Sequence, residues 1–362
     1  MATTQDKLVY RIDAAELTPF IQALFRAHGC SESNALAMAR VCIEADLRGH
    51  AIQGVDHIYS IIRDLGNGVL DGKAIPRIVS SAGATLLAEG GGCPGYVGGL
   101  FAVDRLTQAA RQMGTAVLAL RGAGDLFMLG YYAEQLARAG LIGIVMTNTW
   151  PARVHPTGGI DPVLGTNPLA IGIPTGDAPV VYDAATSASA IGHVRQAGYY
   201  GEAIAAGLAI DAHGRPTTSA DEALGGALAP MAGHKGFGLG LCIGLLSGAM
   251  IGGELGAQLD IAAQSGDPRH GVRSHLFIAI DPGAFGDADA ARRRASAFLA
   301  QIKAGRKMPG VDEIRLPGER SARARRDNLI RGVPILAEVW HRLCRFAREA
   351  NVDIPLIKTG KS

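Results

Sequence analysis

The sequence predicts an α+β protein in which a helical lobe accompanies a lobe built around a sheet, and three observations carry that expectation. Near the N-terminus apolar residues recur at three- and four-residue spacing (Leu17, Ile21, Leu24 and Phe25; Ala37, Val41 and Ile43), the period of amphipathic helices. Between residues 75 and 85 the composition turns to Gly, Pro and β-branched residues, and short apolar runs bounded by turn residues follow, as buried strands require. With 362 residues, 48% hydrophobic and 19% charged, the chain can bury a large core and divide into two or more lobes.

Taken in order, residues 14–29 and 31–47 read as two helices packed together, with Ser31 or Ser33 placed to cap the second, and residues 57–65 read as a third. Strands are expected over 84–89, 115–120, 142–147, 169–174 and 180–182, with helices over 98–113 and 130–139 between them. This makes a sheet of mixed type under helical cover. The longest apolar stretch, 238–253, is rich in glycine and falls short of a membrane span, so it reads as a buried helix. Residues 274–280 return to the sheet. Helices follow over 288–304 and from Pro334, suited to a first helical turn, to 350, while the basic run 320–326 reads as a solvated connector. A Rossmann phosphate turn at Gly122-Ala-Gly124 is rejected: Phe127 stands where the third glycine belongs, and no acidic residue closes a second strand at the ribose distance.

Charge and cysteine usage narrow the function classes. The 35 basic and 33 acidic residues, a net charge of +2, leave no footprint for nucleic acid or an anionic membrane, so the expected partner is a small molecule. The five cysteines are scattered and never form CxxC, which fits buried free thiols in a reducing compartment and implies neither a disulfide framework nor a zinc site. Residues 1–7 are polar and lack the apolar core of a signal peptide, so a cytoplasmic protein is expected.

Four segments have the composition of a ligand site. Gly165-Thr-Asn-Pro168 combines close backbone approach with the amide of Asn167; alone it would be a tight Asn-Pro turn. The segment from Tyr182 to Ala188 ends a strand in small residues with Thr186 and Ser187, suited to a pyrophosphate or ribose, or equally to a helix cap. Gly233-His-Lys-Gly-Phe-Gly238 sets an ammonium at the start of a helix, where charge and dipole both favour an anion. Leu316-Pro-Gly-Glu319 is, by itself, a turn.

With Asp46-Leu-Arg-Gly-His50, these segments resemble, in order and across most of the chain, the malate/L-lactate dehydrogenase family that lacks a Rossmann fold. The resemblance implies a mainly antiparallel sheet that binds NAD or NADP, a helical lobe built from both termini, and a homodimer. It divides the chain into a discontinuous helical lobe (1–80 with 318–362), a cofactor-binding sheet lobe (81–287) and a helical connector (288–317). It also nominates Thr166, Asn167, Asp183, Thr186, Ser187, His234, Lys235, Gly318 and Glu319 as cofactor contacts.

The acid–base positions depart from the family pattern. Where the family has Ser-His-Gly followed three residues later by arginine, this chain has Gln53 for the histidine and His57 for the arginine. A second histidine, before Gly-Tyr-Tyr, is Asp125, and His193 replaces a lysine after Ala-x-Gly. Hydride reduction of a carbonyl leaves an alkoxide that needs a proton, which a histidine supplies near neutrality. Gln53 polarises but does not titrate, and Asp125 would need its pKa raised by roughly three units to stay protonated at pH 7. Arg48 and Arg121 remain as substitutes for the missing guanidinium. A carboxylate in place of a histidine suits a cationic imine, which already carries its proton. The expectation is therefore an NAD(P)-dependent oxidoreductase acting on a small 2-oxo or 2-imino acid, with Gln53, His57, Asp125 and Arg48 as catalytic candidates. The competing reading keeps the cofactor fold with altered or lost redox activity, His57, His155 and His193 being ordinary polar residues.

Overall fold

The computed structural model describes residues 9–256, 258 and 272–355, so residues 1–7, expected to lack a leader core, lie outside it. The chain runs through β1 (Val9–Ile12), α1 (Ala14–Ala27), α2 (Glu32–Leu47), α3 (Ile58–Gly66), β2 (Arg77–Ala82), β3 (Thr85–Cys93), α4 (Gly95–Met113) and β4 (Thr115–Ala123). Next come α5 (Leu129–Arg138), β5 (Ile142–Thr147), β6 (Leu169–Ile173), β7 (Val180–Ala184), α6 (Ile191–Tyr199), β8 (Ala209–Ile210), β9 (Pro216–Thr217), α7 (Ala220–Gly225) and β10 (Ala227–Leu228). The last elements are α8 (His234–Ser247), β11 (Arg273–Ile280), α9 (Ala288–Lys303), α10 (Glu319–Arg331), β12 (Val333–Leu336) and α11 (Ala337–Glu349). Two compact units emerge, residues 1–74 with 315–362, and residues 75–314.

In the first unit, Asp13 caps α1 by accepting the Ala15 N–H at 2.8 Å, and Ser31 caps α2 through the Asn34 N–H. The apolar stripe of α1 (Leu17, Phe20, Ile21, Leu24, Phe25) is buried, and α1 packs on α2. Two expectations are corrected here. Pro334 does not open a helix: residues 333–336 form a strand paired antiparallel with β1, Arg11 opposite Pro334, and the helix begins at Ala337. Alternating burial of Val333 and Ile335 rewards the extended form, and a two-stranded ladder tolerates the donor that proline lacks. Likewise the basic run 320–326 is helical, because α10 is tethered to α2: Asn328 Nδ2 donates to Leu47 O at 3.0 Å and Arg325 pairs with Glu44.

In the second unit a seven-stranded sheet has the order β2-β3-β4-β11-β5-β6-β7. Only β3 and β4 run parallel, so the sheet is mainly antiparallel, with α4 against β4 and α5 against β5 and β6. A smaller sheet, β10-β8-β9, packs with α6 and α7 around Val154, Leu164, Val194 and Leu228.

The apolar stretch after residue 233 becomes α8, and its packing is one-sided. Gly236, Gly240, Gly244 and Gly248 stand four residues apart and line one face. A Cβ at Gly240 would lie 2.6 Å from Thr186 Oγ1, one at Gly244 3.0 Å from Asn167 Nδ2, and one at Gly248 2.6 Å from both Gly244 O and Leu255 Cδ2, with Asn148 Nδ2 at 3.2 Å. Glycine is needed at Gly240 and Gly244 because polar side chains press against the helix there, and at Gly236 and Gly248 because backbone atoms or Leu255 do. Leu239, Leu241, Leu245 and Leu246 are exposed, so the helix is not the buried one expected. By length and composition alone residues 234–251 would suffice to cross a bilayer, another departure from expectation, but the glycine face is docked onto polar groups of its own unit.

Candidate active site

In the first unit, the segment after α2 carries Gln53 and His57 on two short 3-10 turns, residues 51–53 and 55–57. Asp46, 2% exposed, fixes this segment by accepting the Val55 N–H at 2.8 Å. Burial pushes the Asp46 carboxyl well above the ordinary range, the Val55 bond opposes this, and the charge of Asp56 adds to it. A Cβ on Gly54 would stand 2.1 Å from Asp46 Oδ2, so only glycine lets the turn close over the acid. His57 and Gln53 are both half-buried, and His57 O accepts from the Ser60 hydroxyl at 2.8 Å.

Arg48 is committed to an internal pair. Its guanidinium meets Glu44 Oε2 at 3.1 Å, while Arg325 donates to the same carboxylate at 2.7 and 2.8 Å. Burial would raise the Glu44 carboxyl, but the hydrogen bonds and charges of Arg325 and Arg48 outweigh it and hold the group below its ordinary value. His50 Nε2 lies 3.0 Å from Ser321 Oγ; burial, then the charges of Arg320 and Arg48, bring its pKa down to about 4. Gly318 (φ 91°) precedes α10, and Glu319 Oε2 accepts the Leu316 N–H at 3.0 Å, so this carboxylate closes its own turn.

In the second unit, Asp125 lies in the loop between β4 and α5, and that loop is clamped from several sides. Asp125 Oδ1 accepts the Phe127 N–H at 3.0 Å, and Leu126 O accepts the Tyr132 hydroxyl at 3.3 Å. His275 of β11, fully buried, places Nε2 3.0 Å from Gly124 O and Nδ1 2.7 Å from Thr147 Oγ1. A carbonyl only accepts, so the ring proton sits on Nε2 and Nδ1 accepts from the Thr147 hydroxyl. Burial lowers the His275 pKa to about 4, against the opposing charge of Asp125, and the ring is neutral at pH 7. The sequence reading missed His275; its signal was a lone titratable residue in the apolar strand 274–280. Arg121, the other substitute guanidinium, is ion-paired with Glu89, its register partner across β3 and β4.

The nominated cofactor residues also cluster in this unit. Asn167, wholly buried, accepts the Thr149 N–H on Oδ1 at 3.0 Å and donates from Nδ2 to Gly240 O at 3.0 Å. Thr186 donates to Thr166 O at 2.9 Å, Ser187 to Ser189 O at 2.7 Å, and Thr166 Oγ1 lies 3.3 Å from Thr149 Oγ1. These side chains brace the loop against the glycine face of α8. Asp183 accepts the Gly130 N–H at 2.7 Å and so holds the first turn of α5. His234 and Lys235 are exposed on the first turn of α8, whose N-cap, Gly233 (φ 63°), contributes no side-chain cap. His193 lies exposed in the first turn of α6. Among the described residues no group of three His, Cys, Asp or Glu is arranged to hold a metal ion.

Known proteins resemble this chain along nearly its whole length. A family model described as malate/L-lactate dehydrogenase matches residues 12–344. The L-sulfolactate dehydrogenase of Methanothermobacter thermautotrophicus is 29% identical over 346 residues, 96% of this chain and 99% of that protein. The Delta(1)-pyrroline-2-carboxylate/Delta(1)-piperideine-2-carboxylate reductase of Pseudomonas putida is 34% identical over 90% of this chain and 93% of its own length. The crystal structure of malate dehydrogenase from Entamoeba histolytica superposes with a TM-score of 0.92 at 25% identity, covering 96% of this chain and all of that one. A match across nearly the whole chain, on the same mainly antiparallel sheet, leads to one conclusion: the chain belongs to the malate/L-lactate dehydrogenase family of oxidoreductases.

Proposed function

We propose that this protein reduces a small cyclic 2-imino acid with a reduced nicotinamide dinucleotide, NADH or NADPH, and that Asp125 is the residue that sets this preference. The observation that carries the reading is the charge at the site candidates. Asp125 presents a carboxylate on a clamped loop, while Arg48 and Arg121, the guanidinium groups nearest in sequence, are each paired with a glutamate. A carboxylate favours a protonated C=N bond over a neutral carbonyl. The relative from Pseudomonas putida, named for reduction of two such imines, supports the same class.

The residues present fit a dinucleotide. The uncapped first turn of α8, with Lys235 exposed on it, offers backbone N–H groups and an ammonium to a pyrophosphate. Thr186 O accepts the Met231 N–H at 2.9 Å just before that turn, and Asn167 Nδ2 holds the middle of the helix at Gly240 O. When bound, the dinucleotide would supply the hydride for the new C–H bond at the imine carbon, the C=N π pair passing to a nitrogen that already carries its proton and so leaving a secondary amine. No separate proton donor is then required for the imine. We further infer a homodimer, supported by the four exposed leucines of α8 as a surface for a second copy, and a reducing, cytoplasmic setting, supported by the free thiols of Cys30, Cys42, Cys93 and Cys344, which are buried, although Cys242, expected to be buried as well, is exposed on α8.

The test is loss of reduced-nicotinamide absorbance with Δ1-piperideine-2-carboxylate against pyruvate and oxaloacetate. The imine should give the higher kcat/KM, and Asp125→Asn should lower that value about 10- to 100-fold while sparing any 2-oxo acid reaction. Efficient 2-oxo acid reduction that is indifferent to Asp125→Asn would sink the proposal. His57→Gln would then be examined for loss of a neutral-range limb in the pH profile. A protein that binds either dinucleotide but turns over none of these substrates would favour the reading in which redox activity is lost.

A further inference from the structure

Among the described residues the Asp125 carboxylate has one hydrogen bond, to the Phe127 N–H of its own turn at 3.0 Å, so the backbone on either side decides where the group stands. On the N-terminal side the Gly124 N–H donates to Cys93 O at 2.8 Å, and Gly124 O accepts from His275 Nε2 at 3.0 Å. On the C-terminal side Leu126 O accepts the Tyr132 hydroxyl at 3.3 Å. A Cβ on Gly95, the first residue of α4, would collide with the Gly124 and Asp125 carbonyls, so the loop is closed from that side as well. His275 alone among these partners comes from a distant segment, and its ring is anchored from behind by Thr147 Oγ1 of β5 at 2.7 Å.

Phe277 and Ala279, which share its face of β11, are buried and apolar, and an aliphatic residue in place of His275 would avoid desolvating a ring with two polar nitrogens. What the imidazole adds is direction and neutrality. Its Nε2–H aims at one carbonyl, and burial, the leading cause, holds its pKa at about 4 against the opposing charge of Asp125. A lysine or arginine there would pair with the carboxylate and cancel its charge, whereas the neutral ring holds the loop and leaves that charge intact.

We propose that His275 is a positioning residue for Asp125: through Gly124 O it sets the loop that presents the carboxylate, without neutralising the charge that meets the substrate's cationic head. The inference rests on the reading of Asp125 as facing the substrate.

The experiment places His275→Gln and His275→Leu in the wild-type and the Asp125→Asn backgrounds. Glutamine carries an N–H donor and a carbonyl acceptor and reproduces both hydrogen bonds, while leucine fills the space and makes neither. The measurements are kcat/KM for Δ1-piperideine-2-carboxylate, Kd for NADH and NADPH by calorimetry, and hydrogen–deuterium exchange of peptides across residues 121–132 and across β5 and β11. His275→Leu should lower kcat/KM about 10- to 100-fold, with faster exchange confined to the Asp125 loop and the dinucleotide Kd unchanged. His275→Gln should restore the wild-type values. In the Asp125→Asn background His275→Leu should cost little more, because both changes act through one carboxylate. If His275→Leu does not fold, Thr147→Val, which removes only the hydroxyl behind the ring, should give the same pattern more weakly. Equal losses in the two backgrounds, equal losses from glutamine and leucine, or exchange in the Asp125 loop that stays at the wild-type rate would overturn the proposal. If wild type does not reduce the imine, the imine-reductase reading falls, and the exchange of the loop decides the role of His275 by itself.

Discussion

Asn167, Lys235 and His275 separate three things a polar side chain does in this protein. Asn167 is a brace: truncation to alanine strands the buried Thr149 N–H and Gly240 O, and Asn167→Ala should lower the unfolding free energy by about 2–4 kcal/mol in urea titrations. Lys235 is a surface charge at a helix start, so Lys235→Ala should leave stability alone and weaken NADH or NADPH binding by about 1–3 kcal/mol in calorimetry. Saturation by neither dinucleotide up to millimolar concentration would contradict that assignment. His275 joins β11 to β5 and to the Asp125 loop as a neutral ring. Its native pKa, about 4, lies below the ordinary 6.5, so the unfolded chain takes up a proton that the native ring refuses. This stabilisation is fully present above pH 6.5 and is lost as pH falls towards about 4. Thermal midpoints across that window should fall for wild type and fall less for His275→Gln.

At the scale of elements, α8 provides an internal control. Gly240 meets Thr186 Oγ1 at 2.6 Å from its virtual Cβ, whereas nothing lies within 4 Å at Gly238, two residues away on the same helix. Gly240→Ala should therefore destabilise by about 1–3 kcal/mol through overpacking and weaken dinucleotide binding with it. Gly238→Ala should stabilise by up to about 1 kcal/mol, because alanine loses less backbone entropy in a helix. Matching effects from the two substitutions in denaturant melts would refute the docked glycine face. The spacing of Gly236, Gly240, Gly244 and Gly248 was visible in the sequence, but their common purpose was not, since the partners Thr186, Asn167 and Asn148 come from distant segments.

For the molecule as a whole, the first unit is closed by its two chain ends. β1 pairs with β12, and α11 buries Trp340 against Phe20, with ring centroids 5.5 Å apart. Ending the chain at Arg331 would strip both from the unit, so such a variant should lose resistance to limited proteolysis within residues 9–74 at conditions where the full chain is stable. The homodimer is testable by sedimentation: the mass should be that of two chains, and Leu241→Lys with Leu245→Lys should shift it towards one. A one-chain mass at high protein concentration with cofactor present would remove the dimer.

Periodicity was enough to find α1, α2, α4 and the central strands, because helix and strand each impress their own repeat on a chain that must hide one face. The ordered run of glycine-rich motifs was enough to indicate the family, because close backbone approach leaves glycine little alternative. What local sequence did not determine was the company each side chain keeps. Pro334 reads equally well as a first helical residue until β1 arrives beside it, and residues 320–326 read as a solvated run until Glu44 and Leu47 supply partners. Arg48 and Arg121 look available in the sequence and are paired in the fold, while His275, silent in the sequence, holds the loop of Asp125. Pairing across tens to hundreds of residues depends on which backbone segments the tertiary fold brings together, and no local pattern encodes that.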